Sequence, residues 1–309
     1  MKILFIGSRL FDDVSWYLKQ ENITSIITES NENAINLDLA DYNYIVPRGM
    51  DKPMEIAIKE DVDAVIPLIG IDPPLPDVGK MKDELEEIGI PVIASSYKTA
   101  SLAADKYNTK KLLKENNIKT PQFHALNKPY NIDDIEKDLP IVLKTPEGQG
   151  GTGVKVAVNR DDINEFLDNK SNVFTEEFEV SIEVLRWNNE SVALTPVYKG
   201  DITLNGTHPL KKIKQAPLEI EGIDNVAHNR DIRLLAQRIA NLVGLDGTMD
   251  IDILHDNNSK LDYVIELNTR PSGTRYMTAA TTNIYPLCQL VDMAKGHWSA
   301  KDVRNSMEN

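Results

Sequence analysis

The chain has 309 residues, more than one minimal core needs, and this length predicts two or three packed units. Its 34 Lys and Arg residues against 48 Asp and Glu give a net charge of −14, which would repel a phosphate backbone and excludes nucleic acid as an expected partner.

No stretch approaches the roughly 20 apolar residues of a membrane span. The start of the chain has the pattern of a buried strand and not of a signal peptide. The single cysteine, Cys288, excludes an internal disulfide. We expect a cytoplasmic protein with small-molecule partners and no membrane contact.

Short apolar runs alternate with helical patterns over residues 1–96. The runs are KILFIG, ITSIIT, YNYIV, VDAVIPLI and IPVIAS, and the alternation predicts a parallel sheet with helices on both faces. Several of these strands end in residues that could meet a ligand: Ser8 with Arg9, Glu29, and residues 70–72. Because open α/β sheets bind ligands at the carboxyl ends of their strands, we expect this unit to form part of a substrate site.

The next segment, residues 97–117, has helical spacing and basic character. It predicts a linking helix that stops at Asn116 and Asn117, before the Thr120-Pro121 break. Beyond residue 121 the pattern changes to longer strands and hairpins, with helices at about 161–169 and 228–243. Such a pattern predicts α+β units, a small lid followed by a larger unit. We therefore divide the chain at residues 1–96, 97–178 and 179–309.

A glycine-rich segment follows the strand LPIVLK. Four glycines lie within residues 148–153, where they let backbone N–H groups approach phosphate oxygens, and Lys144 at the strand end adds a positive charge. Strands flank the segment on both sides, unlike a dinucleotide fingerprint or a Walker loop, in which the glycines open a helix. The alternative is a mobile hairpin tip whose glycines serve turn geometry alone.

Two strands near the C-terminal end share oxygen-bearing side chains. Alternation places Asp250 with Asp252 on one face, and Glu266 with Asn268 on one face. A hairpin could join the two pairs, and such oxygens are what Mg²⁺ prefers. Arg270 follows on the same side and could reach a transferring phosphoryl group. A solvated acidic sheet face is the alternative.

The sequence leaves the register of this hairpin open. A turn centred near Asn258 would place Asp250 opposite Glu266, whereas a turn centred near Ser259 would place Asp252 there. Between the glycine-rich segment and this hairpin, residues 175–183 leave one strand, turn at acidic residues and enter another. Carboxylates at such a turn can bind ribose hydroxyls, and exposed backbone can pair with an adenine edge. A solvated sheet edge is the alternative here.

Taken together, the three segments resemble the ATP-grasp superfamily. The shared features are a Asp-Lys-x₃-Lys helix at residues 105–110, a strand-end lysine before a glycine-rich flap, an acidic hinge and a closing Glu-x-Asn-x-Arg. The resemblance covers nearly the whole chain. It implies an ATP-grasp fold, mixed α/β and α+β, preceded by a Rossmann-like parallel-sheet domain. The chain is most similar to single-unit relatives of the carbamoyl phosphate synthase large chain from methanogenic archaea, which include carboxylate–amine ligases.

The resemblance also implies site residues. ATP and two Mg²⁺ ions would be the cofactors, and Mn²⁺ could replace Mg²⁺. Arg270 and Lys144 would be catalytic. The nucleotide would be held by Lys106, Lys144, Gly148, Gly150, Gly151, Gly153, Glu176, Glu177 and Phe178, with Glu179 or Glu183 on the ribose. The metal ligands would be Asp252, Glu266 and Asn268, with Asp250 as the alternative to Asp252. The hinge departs from the family pattern because it lacks the usual glycine-containing insertion.

The activity that the resemblance implies is ADP-forming amide or peptide bond formation through an acyl phosphate. Partners would be a small-molecule carboxylate and an amine, in particular an amino acid or peptide, and a homodimer is plausible. Residues 198–214, rich in lysine, could contact an acidic acceptor, with Arg275 and Tyr276 as alternative carboxylate anchors. A solvated loop is the alternative for this segment. The alternatives are use of bicarbonate and ammonia, and a nucleotide-binding regulatory protein without turnover. An NAD-dependent oxidoreductase is disfavoured because the second and third fingerprint glycines are missing after Gly7.

Overall fold

The computed structural model describes residues 1–123, 126, 130–139, 141–145, 154–169, 178–201, 214–219, 222–256 and 259–308. Its described strands form a four-stranded parallel sheet, a separate two-stranded hairpin and a five-stranded antiparallel sheet. Within these residues, no helix combines the length and the apolar character that a membrane crossing requires.

The first sheet is parallel, as the alternating apolar runs predict. Its strands are β1 (Lys2–Ile6), β2 (Thr24–Glu29), β3 (Tyr42–Ile45) and β4 (Ala64–Pro67), in the order β3-β2-β1-β4. Helix α1 (Asp12–Gln20) connects β1 to β2, a short 3₁₀ turn at Leu37–Leu39 lies between β2 and β3, α2 (Asp51–Lys59) connects β3 to β4, and α3 (Leu75–Glu87) follows β4. The fifth run, IPVIAS, makes only a single bridge, from Val92 to Val65.

Helices cover both faces of this sheet. Ile3 and Phe5 of β1 pack with residues of α1, whereas Leu4 and Ile6 of the same strand pack with residues of α2 and α3. Successive side chains of a strand point to opposite faces, so two separate apolar clusters form. The resulting three-layer arrangement is the one that the sequence predicts.

The predicted linking helix is two helices, which corrects the expectation of a continuous one. They are α4 (Tyr97–Ala104) and α5 (Lys106–Glu115). The chain breaks at Asp105, which is extended (φ −94°, ψ 96°) and whose carboxylate accepts a hydrogen bond from the backbone N–H of Asn108. This is an N-cap, and it starts α5 at Lys106.

A small α+β layer follows. It consists of α6 (Ile132–Glu136), β5 (Ile141–Lys144), β6 (Val154–Ala157) and α7 (Arg160–Asn169). The two strands pair antiparallel, with Lys144 opposite Val154, and the predicted flap segment lies between them in the sequence. The glycines Gly148, Gly150, Gly151 and Gly153 lie outside the described residues.

The five-stranded sheet contains the two acidic strands. Its members are β7 (Phe178–Trp187), β8 (Glu190–Ala193), β9 (Val197–Asp201), β10 (Gly247–Asp256) and β11 (Leu261–Asn268), in the order β11-β10-β7-β8, with β9 also on β7. The run SVALTPVY divides into β8 and β9, with Pro196 between them. Helix α8 (Asn225–Val243) packs on the apolar face of this sheet.

The last helices join the two sheets. Helices α9 (Arg275–Thr282), α10 (Pro286–Ala294) and α11 (Ala300–Glu308) end the described chain. One apolar cluster includes residues of β1, α1, β8, α10 and α11. Cys288 lies within it, and burial raises the pKa of its thiol to about 12. The first sheet and the C-terminal helices therefore share one core.

Candidate active site

The β7-β10-β11 sheet has one apolar and one polar face. Ile182, Ile251 and Ile253 are fully buried on the side that α8 covers. The alternate positions of the same strands place Ser181, Glu183, Asp250, Asp252, Glu266 and Asn268 on the opposite face. Burying one face fixes which residues the other face presents. The predicted metal ligands are therefore brought together by the packing of α8.

The register of the acidic hairpin pairs Asp252 with Glu266 and Asp250 with Asn268. Of the two pairings that the sequence allows, the structure has Asp252 opposite Glu266. Next to the turn Asp256 pairs with Leu261, so the turn alone would not give this pairing. A β-bulge lies between Asp252 and Ile253 and shifts the pairing beyond it by one residue. Three carboxylates and one amide thus occupy two adjacent cross-strand pairs.

Each carboxylate of this group contacts a cation. The Lys106 ammonium lies 2.8 Å from Oε1 of Glu266, and Lys199 donates a hydrogen bond to Oδ1 of Asp252. Arg270 Nη1 is 3.8 Å from Oδ2 of Asp250. Carboxylates this close would repel one another without positive charge between them. The lysine and arginine groups supply that charge here.

Arg270 also connects this face to the first sheet. Its Nε donates to Oδ1 of Asp72 at 2.6 Å, and its Nη2 donates to Oδ2 at 3.5 Å. Burial lowers the pKa of Arg270, but the charges of Asp72 and Asp250 outweigh it, so the net shift is upward. Burial raises the pKa of Asp72, against the opposing effect of Arg270. The forked contact holds the guanidinium beside the acidic group.

Lys106 owes its position to the break at Asp105. As the first residue of α5, it extends from the helix start to Glu266 on β11. Lys144 is 8% exposed at the end of β5, directly before the predicted flap. It belongs to the separate hairpin. The structure brings Lys106, Arg270 and the four predicted metal ligands together, whereas the phosphate role of Lys144 stays a prediction.

The predicted adenine and ribose residues are only partly described. Glu176 and Glu177 lie outside the described residues, and of Phe178 and Glu179 only the backbone is described, at the start of β7. Phe178 pairs with His255 and Glu179 pairs with Leu254. The hinge therefore enters the sheet beside β10, and its nucleotide contacts stay a prediction.

Glu183 is buried on the same face as the acidic group, opposite Asp250 on the neighbouring strand. It is 1% exposed, and its Oε1 accepts hydrogen bonds from Thr248 Oγ1 at 2.8 Å and from the backbone N–H of Ser272 at 3.2 Å. Burial, together with the charge of Asp250, raises the pKa of Glu183 to about 8. This surrounding favours a neutral, structural carboxyl over the ribose contact predicted as an alternative to Glu179.

Glu183→Gln is expected to flatten the pH dependence of stability. The folded-state pKa lies above the ordinary value, so the carboxyl stabilises the fold fully below about pH 4.5 and loses that contribution as pH rises toward 8. Each pKa unit corresponds to about 1.4 kcal/mol. Between these two pH values the free energy of unfolding of the variant should therefore rise by up to about 5 kcal/mol relative to that of the parent. Urea unfolding from pH 5 to 8, without divalent ions, measures the difference. Parallel pH profiles for the two proteins would rule out a protonated Glu183.

A cavity of about 450 Å³ opens next to the acidic group. Its lining includes Asp72, Tyr97, Lys106, Glu266 and Asn268. Residues of the first unit, of α4 and α5, and of β11 thus enclose one space. Small-molecule sites occur in clefts of this kind, between packed structural elements.

Several residues of this site are not predicted by the sequence. Lys199, in the predicted acceptor segment, lies on β9 and contacts Asp252. Residues 202–213 of that segment lie outside the described residues. Ser272 and Thr274, not singled out, hydrogen bond to each other at 2.8 Å in the same buried polar group as Ser181. Their spacing after Arg270 was the available signal. Arg275 pairs with Asp13, and its role as a carboxylate anchor stays a prediction.

The donor set of the polar face fits magnesium. Three carboxylates and an amide oxygen supply hard oxygen ligands, and the opposite face of the sheet is closed by apolar packing. The carboxylates already attract the three cationic side chains around them. Asp252, Glu266 and Asn268 are suitably placed to hold the ion, with Asp250 beside Asn268.

A family model described as the ATP-grasp domain matches residues 103–274, more than half of the chain. The chain belongs to the ATP-grasp family. Over 313 aligned residues it is 49% identical to a protein named carbamoyl-phosphate synthase from Methanobrevibacter smithii, covering 100% of this chain and 84% of that protein. It is also 32% identical over 167 residues to a D-alanine–D-alanine ligase A from Bacillus cereus, covering 53% of each.

The fold agrees with this ATP-grasp assignment. The biotin carboxylase domain of 2-oxoglutarate carboxylase from Hydrogenobacter thermophilus superposes with a TM-score of 0.79 at 18% identity, covering 97% of this chain and 71% of that one. That structure contains MgADP, ADP and bicarbonate. The chain is thus an ATP-grasp ligase of the ADP-forming, C–N-bond-forming type, and ATP with Mg²⁺ is the cofactor set of its family.

Proposed function

We infer that this ATP-grasp ligase transfers the γ-phosphoryl group of ATP to a carboxylate oxygen and passes the acyl group to a nitrogen nucleophile. One observation carries the proposal: the two cross-strand pairs, Asp252 with Glu266 and Asp250 with Asn268, meet Lys106 and Arg270 on one face beside the interdomain cavity. The same face therefore offers oxygen atoms that could bind a metal ion and cationic side chains that could bind phosphate oxygens.

Different residues would bind the phosphates and stabilise the transferring group. Lys106 lies at the edge of the cavity and would contact phosphate oxygens, a role for which Lys144 is the second candidate. Arg270, fixed by Asp72, would stabilise the negative charge that develops on the transferring group. Charge neutralisation and in-line positioning are what phosphoryl transfer to a carboxylate requires, and no side-chain nucleophile is needed.

Magnesium would be held by Asp252, Glu266 and Asn268, and when bound it supplies charge neutralisation at the phosphates. Asp250 is the alternative first ligand, although its Oδ1 accepts a hydrogen bond from Ser181 and its Oδ2 faces Arg270. Those contacts favour Asp252 as the ligand and Asp250 as the group that orients Arg270. Two ions, and replacement by Mn²⁺, belong to the same proposal.

Bicarbonate is the first acid to test, with ammonia as the nitrogen donor. The M. smithii relative is named a carbamoyl-phosphate synthase, and the H. thermophilus neighbour contains bicarbonate. Larger carboxylates, including amino acids, are the second candidate, supported by the D-alanine–D-alanine ligase relative and by a cavity of about 450 Å³. A homodimer stays a prediction.

The test is release of ADP and phosphate from Mg-ATP. The panel pairs bicarbonate, amino acids and dipeptides with ammonia, tyramine or a second amino acid, and an Asn268→Ala, Glu266→Ala double variant serves as the blank. We expect turnover that requires one acid and one nitrogen compound and disappears in the double variant. ATP hydrolysis that is indifferent to every acid, or equal in the double variant, would contradict the proposal.

A further inference from the structure

A second group of ligand-type side chains lies on the opposite, apolar side of the β10–β11 hairpin. It consists of His228 in the first turn of α8, His255 near the end of β10 and Asp262 on β11. One ligand atom from each lies within 4.8 Å of the other two. This group is separate from the acidic face, because His255 follows the alternation of Ile251 and Ile253.

The two oxygens of Asp262 face the two imidazoles. Nδ1 of His255 is 2.8 Å from Oδ1, and Nδ1 of His228 is 3.7 Å from Oδ2. Ligand atoms around a tetrahedral zinc ion are separated by about 3.3 Å, which these two distances bracket. The rings of the histidines stand at 80° to each other with centroids 4.7 Å apart. Small ring rotations would therefore bring nitrogen and oxygen atoms to metal-ligand spacing.

The two histidines are buried, and one of them has a ring nitrogen without a hydrogen-bond partner among the described residues. His228 is 7% exposed and His255 is 2% exposed. Nε2 of His228 is buried and has no hydrogen-bond partner among the described residues. Buried ring nitrogens are normally satisfied, so an unsatisfied one requires a physical reason. Nδ1 of the same ring faces Asp262 at 3.7 Å, too far for a hydrogen bond, so an ion bound at Nδ1 would give this imidazole the partner it lacks.

The ligand types indicate the class of ion. A neutral imidazole keeps the lone pair that a metal ion needs. Two imidazoles and one carboxylate favour borderline transition ions such as Zn²⁺ over Mg²⁺, which prefers oxygen ligands throughout.

We propose that His228, His255 and Asp262 form a binding site for a divalent transition-metal ion of the Zn²⁺ class. The ion links the start of α8 to the end of the β10–β11 hairpin. His255 pairs with Phe178, so the ion would also restrict the motion of the start of β7. This strand begins beside the predicted adenine-binding segment. The site acts as a structural clip and takes no part in phosphoryl transfer.

The test measures zinc binding by the full chain after treatment with a chelator and dialysis. Isothermal titration with Zn²⁺ in the presence of millimolar Mg²⁺ keeps the acidic face occupied by Mg²⁺. We expect one Zn²⁺ per chain and a rise in Tm, and Co²⁺ should give visible d–d bands that shift when imidazole ligands are lost. His228→Asn should weaken binding by at least about tenfold.

His297→Asn is the matched control, because His297 is exposed at the turn after α10. It should leave the affinity and the Co²⁺ spectrum unchanged. If His228→Asn fails to fold, Asp262→Asn replaces it, with the same expected loss of affinity. The proposal is overturned if the parent protein binds no Zn²⁺ under these conditions, or if the His228 and Asp262 variants bind it as tightly as the control.

Discussion

Glu266→Gln is expected to reduce kcat for ATP-dependent turnover by about 10²–10³-fold. Glu266 stands opposite Asp252 and contacts Lys106, so the substitution removes one of the negative charges that would hold magnesium while keeping side-chain size. The pair with Lys106 is partly exposed, and its loss should change the free energy of unfolding by about 1 kcal/mol or less. Steady-state kinetics with varied Mg²⁺ and urea unfolding measure the two effects.

The control for this prediction is Glu84→Gln, on the exposed side of α3. It makes the same chemical change away from the acidic face and should leave kcat unchanged. Activity of Glu266→Gln within tenfold of the parent, at saturating Mg²⁺, would show that the metal lies elsewhere. A large loss of stability would instead assign Glu266 a structural role.

Arg270→Ala is expected to lower kcat by about 10³-fold and to destabilise the fold by about 2–3 kcal/mol. Two effects combine, since the variant removes the cation beside the acidic face and leaves Asp72 without its forked partner. A second substitution separates them. In the Arg270→Ala, Asp72→Asn double variant the uncompensated charge is gone, so stability should recover while activity stays low.

Thermal or urea unfolding and steady-state kinetics of the three proteins provide the comparison. Arg270→Lys should also lose activity, because a lysine cannot form the two parallel contacts to Asp72. Arg304→Ala, at an exposed position on α11, is the control for loss of an arginine. Recovery of activity together with stability in the double variant would show that Arg270 acts only through the fold.

Local patterns in the sequence predicted much of this fold. Alternation along KILFIG and its relatives gave the parallel sheet, and alternation along β10 and β11 put the acidic residues on one face. Both signals arise because packing buries one side of each strand. The division of residues 97–117 into two helices was missed, although Asp105 is a typical N-cap residue, because the helical spacing continues across it.

The features of the site that the sequence does not predict depend on contacts between residues far apart in the chain. Arg270 and Asp72 are 198 residues apart, and their contact depends on how the two sheets pack. Lys199 reaches Asp252 because β9 pairs with β7 beside β10. The hairpin register depends on the turn and on a bulge at Asp252, neither of which has a distinctive sequence pattern. Polar pairs between distant strands leave no periodic signal in a single sequence.

If an oxygen of the acid attacks the γ-phosphate of ATP, that oxygen must leave in the released phosphate. The acid that supports turnover is supplied with ¹⁸O in its carboxylate, freshly dissolved in the case of bicarbonate, together with Mg-ATP and the nitrogen donor. The released phosphate is then examined by ³¹P NMR. We expect ADP and phosphate containing one ¹⁸O from the acid. Formation of AMP and pyrophosphate, or phosphate whose new oxygen comes only from water, would contradict it.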